Sequence, residues 1–308
     1  MSRRLRQHRI IDALIYIISR NTMTLDAFRF KSWLLTKKSK NTSDLDLIVI
    51  GGCPRSGTTL ARALISMHPE IASPKKEYNA LMIIKKEVFL KDVFDLSTEE
   101  IKTLKTKYKD NVLLAENILK LYMKKEGKQL IAVKHPYNIL IIDELFHYFP
   151  NMRFIHVIRD GRDTSCSIRT HPKRKIINGE VVPIKTNNPF SWCIRRWTSC
   201  INQGWNWRKS NKYIEVKYEA LVNDPIDSME KVFKFLGLEM IPKDKLLNFY
   251  KYENQDEKHL QNIEVGQPIY KKTIGRWKKD MNAKEKEMFK KMAGEMLIKL
   301  GYEDDHNW

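Results

Sequence analysis

The sequence predicts an α/β fold in which helices flank a central parallel β-sheet. Short apolar runs alternate with longer amphipathic segments, as in strands that are joined by crossover helices. The chain has 308 residues, 42% of them hydrophobic and 30% charged, which suffices for a full core. A glycine-rich turn follows the first apolar run, as expected where a buried strand opens into a helix.

Four strands are predicted from the apolar runs, at residues 47–51, 130–133, 154–158 and 213–217. Helices are predicted to begin near Gly57, Tyr137, Asp163, Phe190, Asp227 and Asn282. Residues 170–189 are polar, contain proline and lack periodicity, so we expect a loop or lid there. The simplest division is a basic N-terminal arm or helix at 1–44 and one domain at 45–308.

The first predicted strand runs into Gly-Gly-Cys-Pro-Arg-Ser-Gly-Thr-Thr-Leu at residues 51–60. The backbone amides of such a turn and the following helix N-terminus favour a bound anion. Against the phosphate-binding pattern G-x-x-x-x-G-K-[ST], the glycines fall on Gly52 and Gly57, and Thr58 replaces the lysine. The sequence therefore predicts a P-loop-like fold with a site for a phosphate-like anion. The missing lysine argues against hydrolysis of ATP or GTP.

A second candidate anion site follows the predicted strand 154–158. Arg159 comes directly after this strand, and Ser167 lies eight positions later on the next predicted helix. Arginine offers a planar fork to phosphate oxygens, and serine adds a hydroxyl donor. Taken alone, Arg-Asp-Gly-Arg at 159–162 could equally be a salt-bridged turn.

Together the two motifs resemble the sulfotransferase family, and within it the tyrosylprotein group. Three further segments are similar, at residues 132–137, 218–225 and 274–277, and the resemblance covers about residues 46 to 304. It implies a P-loop-NTPase-like fold and in-line transfer of a sulfuryl group to an acceptor hydroxyl. The implied donor is 3′-phosphoadenosine 5′-phosphosulfate (PAPS), which leaves as 3′-phosphoadenosine 5′-phosphate (PAP).

The resemblance also implies a donor site. Its residues are Arg55, Ser56, Gly57, Thr58 and Thr59 for the 5′-phosphosulfate and Arg159 and Ser167 for the 3′-phosphate. Tyr218 and Lys278 are two further residues expected to bind the donor. The last segment departs from the tyrosylprotein pattern, because Gly275 stands where that group has a donor-contacting serine. Thr273 and Lys278 or Lys279 are the substitutes that the sequence offers.

For catalysis the resemblance implies Glu77 as the base, with Lys134 and Arg55 stabilising developing charge. His135 is the competing base, although it would point to the opposite face if its strand continued past Lys134. No metal is expected, since cationic side chains can neutralise the sulfuryl group.

The acceptor is open at this stage, because an arginine that the tyrosylprotein enzymes use near the glutamate is absent. A peptide tyrosine, a sugar, a lipid or a small metabolite would each supply a hydroxyl. A nucleotide-dependent kinase and a non-catalytic nucleotide- or polyanion-binding protein are the rival functions.

The net charge of +19 indicates anionic partners. An acidic acceptor fits this charge, whereas no nucleic-acid motif accompanies it. The four cysteines lack metal or disulfide spacing, which favours a reducing compartment. The apolar run at 10–18 is too short to span a bilayer, so the arm is expected to pack on the domain or to contact a membrane peripherally. A cytoplasmic enzyme is the expectation.

Overall fold

A computed structural model describes residues 39–79, 87–177, 180–253 and 266–308, together with the single positions 32 and 81. The predicted N-terminal arm lies almost wholly outside the described residues, so its helix stays a prediction. Within the described part of the chain, no helix is both long and apolar enough to cross a membrane.

Seven strands are described: β1 (Leu47–Gly52), β2 (Ile71–Ala72), β3 (Leu130–Lys134), β4 (Arg153–Ile158), β5 (Lys173–Ile177), β6 (Glu180–Ile184) and β7 (Tyr213–Lys217). Five form one sheet in the order β2-β3-β1-β4-β7. Every pairing in that sheet is parallel, so the predicted central parallel sheet is confirmed. Strand β2 was not predicted, because two residues are too few to show a period.

The register brings the site motifs to one edge of the sheet. Ile50 pairs with Lys134 across β1 and β3, and Gly52 pairs with Val157 across β1 and β4. The carboxyl ends of three neighbouring parallel strands therefore lie side by side, where open α/β sheets bind their ligands.

Thirteen α-helices are assigned in the described residues: α1 (Thr58–Ile65), α2 (Glu87–Phe94), α3 (Thr98–Lys107), α4 (Asn111–Glu126), α5 (Ile142–Tyr148), α6 (Gly161–Thr170), α7 (Phe190–Trp205), α8 (Tyr218–Asn223), α9 (Pro225–Leu236), α10 (Lys243–Leu247), α11 (Tyr250–Glu253), α12 (Trp277–Asp280) and α13 (Ala283–Lys299). A 3-10 helix at Pro136–Ile141 precedes α5. The six predicted helix starts each lie within two residues of the start of an element in this set.

The prediction of a loop at 170–189 is wrong at residues 173–177 and 180–184. Strands β5 and β6 pair there as an antiparallel hairpin, with Lys173 opposite Ile184. The hairpin is separate from the main sheet, and the sequence over these residues has no alternating pattern from which strands could be predicted.

Apolar side chains cover both faces of the sheet and form two buried clusters. Phe154 and Trp197 belong to one cluster, and Leu64 and Phe233 to the other. Both faces of β1 are buried along its whole length, which explains its uninterrupted apolar sequence. All four cysteines are buried and free.

Candidate active site

The turn between β1 and α1 has a backbone that few residues adopt. Arg55 has a φ of 74° and Gly57 a φ of 92°, both in the left-handed region. A side chain at residue 57 is also excluded by contact, since a Cβ there would lie 2.3 Å from Cδ2 of Tyr218. The turn therefore requires glycine at residue 57, and Thr58 and Thr59 at the start of α1 line a cavity beside it.

The start of α1 has unused hydrogen-bonding capacity. The N-cap residue Gly57 provides no side-chain hydrogen bond to the first turn, and the first amides of any helix lack an intrahelical acceptor. The Ser56 Oγ atom is buried and has no hydrogen-bond partner among the described residues. These donors, together with the helix dipole, fit a phosphate or sulfate group.

Arg159 is held at the end of β4 by the backbone and by an aromatic ring. It donates hydrogen bonds to the carbonyl oxygens of Arg55, at 3.1 Å, and of Thr273. Its guanidinium carbon lies 4.5 Å from the centroid of the Tyr218 ring, and the Tyr218 hydroxyl is 3.0 Å from Oγ1 of Thr273. Arg159 and Tyr218 are thus part of one contact network beside the anion turn.

The two predicted anion sites touch each other. Nε of Arg55 donates to Oγ of Ser167 at 3.2 Å, and both residues line the same cavity. The two candidate anion sites are therefore adjacent parts of one cavity. The physical reason is the sheet order, which places β1 and β4 side by side.

Lys134 connects the candidate base with the anion turn. Its Nζ donates to Oε1 of Glu77 at 2.8 Å and to Oγ1 of Thr59 at 3.2 Å. Lys134 is almost fully buried, whereas the Glu77 side chain is 40% exposed. The ammonium group is therefore fixed, and the carboxylate stays accessible to a ligand in the cavity.

The ionisation of this pair follows from its surroundings. Burial lowers the pKa of Lys134, and Glu77 opposes that shift only partly. Burial alone would raise the pKa of Glu77, but the charges of Lys134 and Arg55 and the Lys134 hydrogen bond outweigh it and lower that pKa below its usual value. Glu77 is therefore a carboxylate at neutral pH, as a proton acceptor must be.

His135 lies in the same cavity, because the strand does not continue past Lys134, the condition under which His135 was expected to point to the opposite face. Strand β3 ends at Lys134, and His135 caps the 3-10 helix, with its Nδ1 accepting the Tyr137 N–H at 3.2 Å. Its Nε2 atom is 4.0 Å from Oε2 of Glu77. Burial lowers the pKa of His135 to about 4. The neutral ring then carries its proton on Nε2, which makes it a poor base towards the cavity.

A cavity of about 320 Å³ connects these groups. The predicted residues that line it are Arg55, Gly57, Thr58, Thr59, Glu77, Arg159, Ser167 and Tyr218. Lys134 contacts two of these lining residues, Glu77 and Thr59, through hydrogen bonds. Ser56 lies within the turn between β1 and α1.

Lys278 was predicted to contact the donor, but it does not line the cavity. Its Nζ lies 5.9 Å from the Trp277 ring, while Thr273 and Arg276 of the same segment line the cavity. Asp163 fixes this segment, because its two carboxylate oxygens accept the N–H groups of Gly275 and Trp277 at 2.8 and 2.9 Å.

Sequence reasoning also missed Arg196, which lines the cavity from α7. The available signal was Trp192 four residues earlier, since residues four apart share a helix face. Among the described residues, no group of histidine, cysteine, aspartate or glutamate side chains is arranged to hold a metal ion.

Comparisons with known proteins agree on one family. The sequence model of the Sulfotransferase family matches residues 46–242, more than half of the chain. Protein-tyrosine sulfotransferase 2 of Gallus gallus is 26% identical over 282 residues, which cover 85% of this chain and 71% of that protein. Protein-tyrosine sulfotransferase 1 of Homo sapiens is 28% identical over 280 residues, with 84% and 70% covered.

Solved structures extend the similarity to the fold. The sulfotransferase domain of the Synechococcus PCC 7002 olefin synthase superposes with a TM-score of 0.55 at 20% identity, covering 80% of this chain and 92% of that chain. The sulfotransferase domain from the curacin biosynthetic pathway has a TM-score of 0.51 at 16% identity, covering 82% and 99%. The predicted fold class is thereby confirmed.

Proposed function

Because the chain belongs to the sulfotransferase family, we propose that it transfers the sulfuryl group of PAPS to the phenol of a peptide tyrosine, with Glu77 as the base. Family membership confirms the predicted transferase activity, and with it the donor PAPS and a hydroxyl-bearing acceptor. The kinase alternative loses its basis. The tyrosine, the acidity of the acceptor and the residue roles are the proposed parts.

One observation carries the residue roles: the Lys134 ammonium contacts both the candidate base and the donor turn. Nζ is 2.8 Å from Glu77 and 3.2 Å from Thr59 on the first turn of α1. A base and an anion site that share one cation fit a reaction in which an acceptor oxygen attacks an anion bound at the turn.

The donor residues follow from the same geometry. The amides at the start of α1, with Ser56, Thr58 and Thr59, would hold the 5′ end of PAPS. Arg159 and Ser167 would hold its 3′-phosphate. Tyr218 packs against both Gly57 and the Arg159 guanidinium, so it fits between the two groups of anion ligands.

The chemistry then divides among three side chains. Glu77 accepts the proton of the acceptor hydroxyl while the oxygen of that hydroxyl forms a bond to sulfur. At the same time, the bond from sulfur to the 5′-phosphate oxygen breaks. Lys134 and Arg55 stabilise the negative charge that grows on the sulfuryl and leaving phosphate oxygens. When bound, PAPS supplies the activated sulfuryl group, and the side chains supply position and charge.

A peptide tyrosine is the acceptor that the curated relatives favour, since those described above are named protein-tyrosine sulfotransferases. The positive charge of the chain supports an acidic peptide. A phenol is also a good partner for a carboxylate base, because its pKa near 10 is far below that of an alcohol.

The test uses the purified full chain, labelled PAPS and a tyrosine peptide with acidic flanking residues. We expect label on the peptide and none on the same peptide with phenylalanine in place of tyrosine. A simple sugar and a small alcohol serve as competing acceptors. Faster labelling of either competitor than of the peptide would refute the tyrosine proposal and leave the family assignment intact.

A further inference from the structure

One buried ion pair beside the active site is not used by the reaction above. Arg62 of α1 donates to Oε1 of Glu253, the last residue of α11, at 2.8 Å, and its second terminal nitrogen donates to Oε2. The two side chains are 0% and 5% exposed. Taking two charges out of water is costly, so such a pair often adds no more stability than apolar side chains of similar volume. Stability alone is therefore a weak explanation for this pair.

The position of the pair on α1 brings it close to Lys134. Nζ of Lys134 donates to Oγ1 of Thr59 at 3.2 Å, and Arg62 follows Thr59 by three residues in α1. Residues three apart are neighbours on one face of a helix. The ion pair is therefore next to the helical turn that Lys134 contacts, while its burial keeps it from touching a ligand in the cavity.

Helix α11 also contacts the segment that carries the base. The carbonyl oxygen of Tyr252, the residue before Glu253, accepts a hydrogen bond from Nζ of Lys75 at 2.9 Å. Lys75 lies two residues before Glu77, whose carboxylate accepts from the Lys134 ammonium at 2.8 Å. Helix α11 is thus bound both to the donor helix α1 and to the segment of the base.

The two charges of the pair act on Lys134 in opposite directions. The charged or titratable side chains around Lys134 and Glu77 are Arg55, Arg62, His135 and Glu253. Burial has the largest effect and lowers the pKa of Lys134, and the Glu77 charge raises it. The same pKa is raised by Glu253 and lowered by Arg62. His135 is neutral, because burial lowers its pKa to about 4. While both members of the pair are charged, their effects on the Lys134 proton therefore oppose each other.

We propose that Arg62 and Glu253 are positioning residues of the reaction, a buried pair that balances its own charge beside the Lys134 ammonium. Removing Glu253 would leave Arg62 as an uncompensated second cation, and arginine does not release its proton instead. Removing Arg62 would leave a carboxylate, which favours the ammonium form of Lys134. The inference rests on the proposed role of Lys134 and deepens it, because Lys134 has to stay charged to stabilise the transferring group.

The test measures the Kd of PAP by calorimetric titration from about pH 7 to about pH 10.5, the range in which a lysine of lowered pKa loses its proton. PAP carries the leaving phosphate, so its affinity should fall as Lys134 becomes neutral. Relative to the wild-type chain, Glu253→Gln should move the midpoint of that fall to lower pH. Arg62→Gln should move it to higher pH, each by about 0.5 to 1 pH unit.

Control variants separate charge from structure. Both glutamine variants keep a hydrogen bond across the former ion pair, which limits the loss of stability, and either one alone tests its own predicted direction. Arg62→Gln combined with Glu253→Gln should return the midpoint to near the wild-type value, and Arg62→Lys, which keeps the charge, should leave it there. Lys134→Met should abolish the fall. Asp227→Asn, which breaks an exposed ion pair with Lys231, should not move the midpoint.

Three results would overturn the inference. They are a midpoint that stays at the wild-type value in either single glutamine variant, midpoints that move in the same direction in both, and a double variant that moves as far as a single one. Each would reduce the pair to a structural contact. A fall in affinity that is absent from the wild-type chain, or that persists in Lys134→Met, would instead refute the proposed role of Lys134 itself.

Discussion

The two sides of the cavity differ in how their charges are satisfied. On the donor side, Arg159 donates to two backbone carbonyls and Arg55 donates to Ser167. On the acceptor side, the Arg196 guanidinium contacts the rings of Tyr137 and Trp192, and the Glu77 side chain is 40% exposed. Hydrogen bonds within the fold hold the donor side in place, whereas the Glu77 carboxylate on the acceptor side stays accessible to a ligand. This difference suits an enzyme that always binds the same donor and that has to recognise a particular acceptor.

The largest expected effect separates the two candidate bases. Glu77→Gln should lower kcat by about 10²- to 10⁴-fold, the usual contribution of a general base. His135→Gln should lower it by less than about tenfold, because Nε2 of the neutral ring already carries a proton. Steady-state kinetics with saturating PAPS measure both.

The Kd for PAP controls for folding and should stay within about twofold in both variants. A larger loss of kcat in His135→Gln than in Glu77→Gln would transfer the role of base to His135.

The next effect tests the donor side. Arg159→Ala should weaken PAP binding by about 10- to 100-fold, as expected for lost charge-assisted hydrogen bonds. Binding of adenosine 5′-phosphosulfate, which lacks the 3′-phosphate, should change much less. Calorimetric titration of the two nucleotides gives the ratio, and Arg195→Ala on the exposed surface is the matched control. Equal losses for both nucleotides would remove Arg159 from the 3′-phosphate site.

A smaller effect concerns the segment that carries Thr273 and Arg276. Asp163→Asn replaces one buried carboxylate oxygen by an amino group facing a backbone N–H, which should cost about 1–3 kcal/mol of folding free energy. PAP affinity should fall about 3- to 10-fold, because both residues line the cavity.

Denaturant unfolding and PAP titration test this prediction, with the exposed Asp304→Asn as control. Unchanged PAP affinity in a destabilised Asp163→Asn chain would make Asp163 purely structural.

The smallest effect is the response of stability to pH. Burial lowers the pKa of His135 to about 4 and that of His156 to about 3. Between about pH 6.5 and pH 4 the unfolded chain therefore binds more protons than the folded chain, and the free energy of unfolding falls as the pH falls. Each histidine contributes up to about 1.4 kcal/mol per pH unit.

His156→Gln isolates one of these contributions. Urea unfolding at several pH values gives the free energy of unfolding as a function of pH. Below pH 6 the slope of this function should be smaller in the variant than in the wild-type chain by about 1.4 kcal/mol per pH unit, whatever the variant's absolute stability. An unchanged slope would mean that His156 has the same pKa in the folded and the unfolded chain.

Local motifs predicted most of the donor side. The turn at 53–57 and the Arg159 to Ser167 spacing each lie within one strand-to-helix connection, whose geometry depends on neighbouring residues. Glu77 and Lys134 were also predicted, although through resemblance to a family and not through local pattern. The cytoplasmic location and the role of the N-terminal arm stay predictions.

Long-range packing decided what the sequence could not predict. Arg196 reaches the cavity only because α7 packs beside the 3-10 helix that carries Tyr137. His135 faces Glu77 because β3 ends one residue earlier, and the Asp163 carboxylate meets residues more than 100 positions away.

By itself the sequence determined the parallel sheet, the anion turn and the family, since strand period, glycine spacing and local charge depend on adjacent residues. The tertiary structure alone decided that the two anion sites form one cavity and that Arg196 of α7 also lines it. Such facts depend on distances between separate elements, and those are set by the packing of the whole core.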